Sequence, residues 1–141
     1  MAHVVEKGGF IMSEEATEPR GELAIRTQAM PSDTNPSGDI FGGWLMAQMD
    51  IAGGITAAWR AKGRVVTVAV TGMAFHRPVR VGDVLCVYAE IERTGRTSLT
   101  LPVEAWVHRR GDMNRRVKVT EGVFTYVAID ADGNKREVPA P

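Results

Sequence analysis

A chain of 141 residues, 44% hydrophobic and 24% charged, is long enough for one domain with a real core and short for two. Seventeen basic and seventeen acidic residues leave no net charge, which excludes a general nucleic-acid binder, although a local basic patch can still grip a phosphorylated ligand. The single cysteine, Cys86, excludes an internal disulfide framework, fits the reducing cytoplasm, and within "DVLCVYAEI" reads as a buried small hydrophobe.

Residues 1–20 read as a poorly ordered tail. "MAHVVEKGGFIM" lacks the sustained apolar stretch of a secretory signal, and acidic "SEEATEP" follows it. "GELAIRTQAM" alternates weakly, as a strand can. "PSDTNPSGD" is a dense cluster of turn residues, and Ser37 or Asp39 at its end can cap a following helix. That helix is predicted from Gly42 to Lys62, with Arg60 and Lys62 in its last turn and Gly63 just beyond. At ~1.5 Å per residue it is on the order of 30 Å long. Gln48, Asp50 and Arg60 interrupt its apolar run, so it is not read as a membrane span.

Trp44, Leu45, Met46, Met49, Ile51, Ile55 and Trp59 lie around most of this helix, which predicts burial on all sides. Asp50 in the middle therefore needs either a structural partner or a chemical task, because a lone buried carboxylate is costly. Small residues on its side, Gly53, Gly54 and Ala57, allow a backbone or a thin ligand to approach; alternatively the glycine pair only kinks the helix.

Strand signals follow at 64–75, 84–94, 97–110 and 115–130, with a tight turn expected at Gly95–Arg96 and an edge or bulge position at Pro102. Short connections between them favour an antiparallel sheet wrapped round one central helix, an α+β arrangement. The paired arginines at 109–110 and 115–116 read as flanks of a solvated turn.

The three histidines, His3, His76 and His108, are scattered, and none stands at metal-ligand spacing. Nucleophile elbows, phosphate-binding loops and dinucleotide fingerprints are absent from the sequence. What remains is a helix start with a Gly-Gly pair and a carboxylate further along. Backbone N–H groups at a helix start suit a developing oxyanion, and a carboxylate can act as base or nucleophile. Gly42 and Asp50 are eight residues apart, roughly 12 Å along one helix. A reacting carbonyl must reach both within ~3 Å, so either the pair is unrelated or a second chain brings its Asp50 to this Gly42.

The segments "MPSDTNPSGDIFGGWLMAQMD", "GRVVTVAV", "RPVRVGDVLCVYAE", "GRTSLTLPVEAWV" and "VTEGVFTYVAID" together resemble the YciA-type acyl-CoA thioesterases of the hotdog-fold superfamily. The resemblance covers about residues 22–139. It implies a single hotdog domain over 21–141, an antiparallel sheet wrapped around a long helix, and homodimers, commonly assembled as trimers of dimers into a homohexamer. It also implies metal-independent hydrolysis of acyl-CoA, with no cofactor beyond the coenzyme A of the substrate, and no nucleic-acid or membrane partner. On this resemblance the catalytic aspartate falls on Asp50 and the oxyanion donor on Gly42, with Gly43 supporting the helix start and Asp39 a secondary catalytic candidate. Coenzyme A contacts fall on Val66, Thr67 and Val68 and on the turn Arg96, Thr97, Ser98, where Arg96 can meet a phosphate. The alternatives are a hotdog hydratase or dehydratase, which wants a histidine near the carboxylate, and a non-catalytic acyl-CoA-binding module.

Overall fold

The computed structural model describes residues 6–7, 10–11 and 17–141. Two short strands, β1 (Glu6–Lys7) and β2 (Phe10–Ile11), pair with each other. The main sheet holds β3 (Glu22–Gln28), β4 (Val65–Phe75), β5 (Val84–Ala89), β6 (Arg93–Thr94), β7 (Ser98–Arg109) and β8 (Asp112–Ala128). Its order is β3-β5-β7-β8-β4, with β6 beside β7, and every pairing is antiparallel. One long helix, α1 (Gly42–Ala61), contacts β3, β4, β5, β7 and β8. This is the expected α+β arrangement of a sheet curved round one helix.

Alternation along the central strand explains the packing. Leu99, Leu101, Val103, Ala105 and Val107 of β7 join a core with Leu45, Met49 and Ala52 of α1. The residues between them face the other side of the sheet. There Trp106 is buried, and so is Cys86 directly across from it, as a small hydrophobe.

Details differ from expectation for local reasons. The predicted strand 84–94 is split, because the chain leaves β5 after Ala89 and pairs again with β7 only at Arg93. Pro102 lies between Val103, the last partner of β5, and Thr100, a partner of β6, so its strand is locally an edge on that side. The hairpin turn centres on Arg96–Thr97, one residue later than expected, with Gly95 N–H donating to the Ser98 carbonyl. Gly95 is needed there because a Cβ would come within 2.6 Å of Ser98 Oγ.

At the helix start neither Ser37 nor Asp39 caps. The N-cap is Phe41, which makes no side-chain cap bond, while Asn35 Oδ1 accepts from the Ser37 and Asp39 N–H groups and closes the preceding turn. At the other end Lys62, not Gly63, takes the left-handed conformation, with φ 55°. Gly63 instead makes room for Arg136, whose Nη2 would meet a Cβ at 2.6 Å.

Much of the tail expected over residues 1–20 lies outside the described residues. At its end, Arg20 pairs with Glu90 and Glu92, and Glu18 pairs with Arg116. The arginines flanking the β7–β8 turn are engaged as well. Arg109 pairs with buried Asp83 at 2.7 Å, and Arg116 stacks over Trp106. Among the described residues no helix is long and apolar enough to cross a membrane.

Across from the helix, Glu104 and Glu121 stand directly opposite each other on β7 and β8. Like charges in that register repel, and Lys118 resolves the conflict. Its ammonium, only 3% exposed, lies 3.4 Å from Glu104 and 3.1 Å from Glu121. Trp106 Nε1 and the Arg20 backbone N–H also donate to Glu104, and His76 Nε2 lies 2.7 Å from Glu121. Lys118→Met should therefore cost about 3–5 kcal/mol, because it leaves two facing carboxylates without their shared cation. Urea unfolding at neutral pH measures that loss.

Candidate active site

Asp50 lies two turns into α1, on the side that faces β4 and β8. Thr67 of β4 and Tyr126 of β8 are directly opposite each other in register, so their side chains share a face of the sheet. Both reach Asp50. The Thr67 hydroxyl donates to Asp50 Oδ1 at 2.7 Å. The Tyr126 hydroxyl faces two acceptors of the same residue, the backbone oxygen at 2.8 Å and Oδ1 at 3.1 Å. Among the described residues Oδ2 accepts no hydrogen bond. Burial first, and then the charge of Asp50, push the Tyr126 phenol well above its usual ionisation range. It therefore stays a protonated donor at any ordinary pH.

Tyr126 was not singled out in the sequence, yet the helix makes room for it. A Cβ on Gly53 would lie 2.4 Å from the Tyr126 hydroxyl, whereas one on Gly54 would sit 3.8 Å from the ring. The small face beside Asp50 thus receives a side chain from the chain's own sheet, rather than a backbone or ligand at Gly53. Two signals pointed this way: the glycine three residues after Asp50, and a tyrosine at a core-facing position of "VFTYVAID".

Gly42 and Gly43 open the helix, both exposed. Among the described residues no acceptor meets their N–H groups. Gly42 borders a cleft with Phe75, His76 and Val79, and a Cβ on it would touch the Phe75 ring at 3.4 Å. Asp39 lies in the turn before the helix. One protomer does not bring Gly42 and Asp50 together, since both stand on the same straight element.

Val66 and Val68 flank Thr67 and are exposed, with Val68 at a bulge between Thr67 and Ala69. Ser98 pairs with Val127, which pairs with Val66, so the Arg96–Ser98 turn and the start of β4 share one end of the sheet with β8 between them. Arg96 is 76% exposed and lies 3.5 Å from Glu137. His76 is engaged with Glu121 and makes no hydrogen bond to Asp50. Among the described residues no group of three or more His, Cys, Asp or Glu side chains could hold a metal ion.

The helix is less buried than its sequence predicts. Ile51 is 52% and Trp59 80% exposed, and Phe41 and Met46 are exposed too. Twenty helical residues cannot all be covered by one sheet on one side. At the open edge of the sheet, Val66, Val68 and Phe75 of β4 are also exposed.

A family model described as the thioesterase superfamily matches residues 37–113. The acyl-CoA thioester hydrolase YciA of Salmonella typhimurium is 55% identical over 123 residues, 86% of this chain and 92% of that protein. A hexameric thioesterase of Yersinia pestis superposes with a TM-score of 0.84 at 55% identity, covering 88% of this chain and all of the other. HI0827, a hexameric broad-specificity acyl-coenzyme A thioesterase, superposes with a TM-score of 0.82 at 50% identity, covering 87% and 84%. The chain belongs to the thioesterase superfamily and, within it, to the YciA-type acyl-CoA thioesterases of hotdog fold.

The two helix glycines should respond differently to alanine. Gly53→Ala should destabilise by about 1–3 kcal/mol, because its new methyl overlaps the Tyr126 hydroxyl. Gly54→Ala meets only ordinary contact and should gain up to about 1 kcal/mol of helix propensity. Thermal or urea unfolding of the two variants side by side separates them.

Proposed function

We propose that this protein hydrolyses acyl-CoA thioesters to free coenzyme A and a carboxylic acid, in the cytoplasm and without a resident metal or cofactor. The observation that carries the reading is the Asp50 carboxylate, fixed at one oxygen by Thr67 and Tyr126 with the other oxygen open. The acyl carbonyl would rest on the N–H of Gly42, with Gly43 and the positive end of the helix behind it. Asp50, as base or nucleophile, would come from the partner subunit, since the two groups of one chain stand about 12 Å apart. Asp39 would border the same site from the turn before the helix. As base, the carboxylate takes a proton from water, the water oxygen bonds to the acyl carbon, and the C–S bond breaks as the thiolate leaves.

Coenzyme A would lie along Val66–Val68 and the Arg96–Ser98 turn, with Arg96 at its phosphates. The exposed stripe of α1 and the edge of β4 support a dimer that covers both, and the hexameric relatives support a trimer of such dimers. A panel of acyl-CoAs with a thiol-detecting reagent tests the reading. Thiol release supports hydrolysis; water addition to an enoyl-CoA without thiol release would make it a hydratase. No turnover on any member would leave a binding module.

Asp50→Asn preserves size and removes the charge. It should lower kcat by about 10²–10⁴ while melting temperature and coenzyme A affinity stay near wild type. A large stability change with near-normal kcat would leave Asp50 a structural acid.

A shared site also predicts complementation. Asp50→Ala chains and Gly42→Phe chains should each be inactive alone. After random mixing, the mixed dimers should restore about a quarter of wild-type sites, both defects falling in the other site of each mixed dimer. Mixed dimers that form and stay inactive would overturn the two-chain site.

A further inference from the structure

The geometry around Asp50 points beyond the carboxylate itself. We propose that Tyr126 and Thr67 are positioning residues that together lock Asp50 Oδ1 and thereby assign Oδ2 as the reacting oxygen. The inference rests on the hydrolase reading above and adds residues that sequence reasoning gave either no role or only a ligand contact.

Three observations support it. First, the two hydroxyls converge on the same carboxylate oxygen, from adjacent strands in direct register, at 2.7 and 3.1 Å. A carboxylate that rotates freely presents either oxygen; one held twice at Oδ1 presents Oδ2. Second, the single phenol proton of Tyr126 is shared between Oδ1 and the Asp50 backbone oxygen, the latter at 2.8 Å, which ties the side chain's own anchor point on the helix to β8. The carbonyl can accept this bond together with its helical one, having two lone pairs. Third, the arrangement is expensive to build. It requires glycine at position 53 in mid-helix, where a Cβ would fall 2.4 Å from the phenol oxygen. A tyrosine 1% exposed needs only one hydrogen-bond acceptor, and the Asp50 backbone oxygen already supplies it.

The consequence for the reaction is specific. As base, Oδ2 takes one proton of the attacking water while the water oxygen bonds to the acyl carbon and the thiolate departs with the C–S electrons. As nucleophile, Oδ2 bonds to the acyl carbon while the C–S bond breaks and the thiolate leaves, and water then cleaves the resulting mixed anhydride to release the acid and restore the carboxylate. In both routes the hydroxyls move no proton; they hold the carboxylate in place. Among the described residues Tyr126 is the titratable side chain in hydrogen-bond contact with Asp50, and no charged side chain forms an ion pair with it.

The test compares Tyr126→Phe, Thr67→Val and Thr67→Ser in the full-length protein, with Asp50→Asn as reference. Tyr126→Phe keeps the ring and removes the hydroxyl. It should lower kcat about 10–100-fold with KM within about twofold. Thr67→Val should lower kcat the same way, and Thr67→Ser should recover most of what Thr67→Val loses.

A merely structural tyrosine would lower melting temperature and leave kcat of the folded enzyme where it is. That result, with Asp50→Asn inactive, overturns this inference alone. Full activity in Asp50→Asn overturns the hydrolase mechanism beneath it. Should Tyr126→Phe fail to fold, the Thr67 pair decides, since Thr67 is exposed in the protomer and its replacement opens no cavity. An unchanged kcat in Thr67→Val then overturns the proposal.

Discussion

One physical constraint ties the sheet to the helix: a carboxylate, Asp50, is seated against the sheet side of a largely apolar α1. A carboxylate there needs hydrogen-bond donors. The donors come from two strands, β4 and β8, that must be adjacent and in register for Thr67 and Tyr126 to meet at one oxygen. They also require a helix surface low enough for a tyrosine to reach it, which Gly53 provides. Strand register, helix composition and the orientation of Asp50 are therefore one constraint.

The rest of the sheet solves a different electrostatic problem on its other side. Glu104 and Glu121 face each other across β7 and β8, and Lys118 lies between them almost fully buried. Trp106 donates to Glu104 within the same cluster, so the ring is buried with its N–H satisfied. The helix side of the sheet is largely apolar, while the far side carries this polar network. The central strand β7 supplies both through simple alternation.

The protomer leaves a third matter open to a partner. Ile51 and Trp59 on α1, and Val66, Val68 and Phe75 on β4, are exposed in the single chain. An edge strand of eleven residues with exposed apolar side chains is a ready template for pairing.

By itself the sequence determined the long helix, the strands, their antiparallel arrangement and the singular carboxylate at Asp50. Those properties are local: apolar runs, β-branched stretches, turn residues, and one charge where none belongs. It also carried the family resemblance, because the segments around the helix are distinctive as strings. Only the tertiary structure decided what meets Asp50. Tyr126 is 76 residues further along the chain, and nothing local to "VFTYVAID" tells which helix position its hydroxyl reaches. The helix was read as buried all round because periodicity counts apolar residues and cannot say how many sides a single sheet covers. The cap was assigned to Ser37 or Asp39 by residue type, whereas Asn35 closes that turn first and leaves the helix N–H groups of Gly42 and Gly43 open. Local propensity identifies the elements; which groups satisfy one another is settled by long-range register, and that is where the site is made.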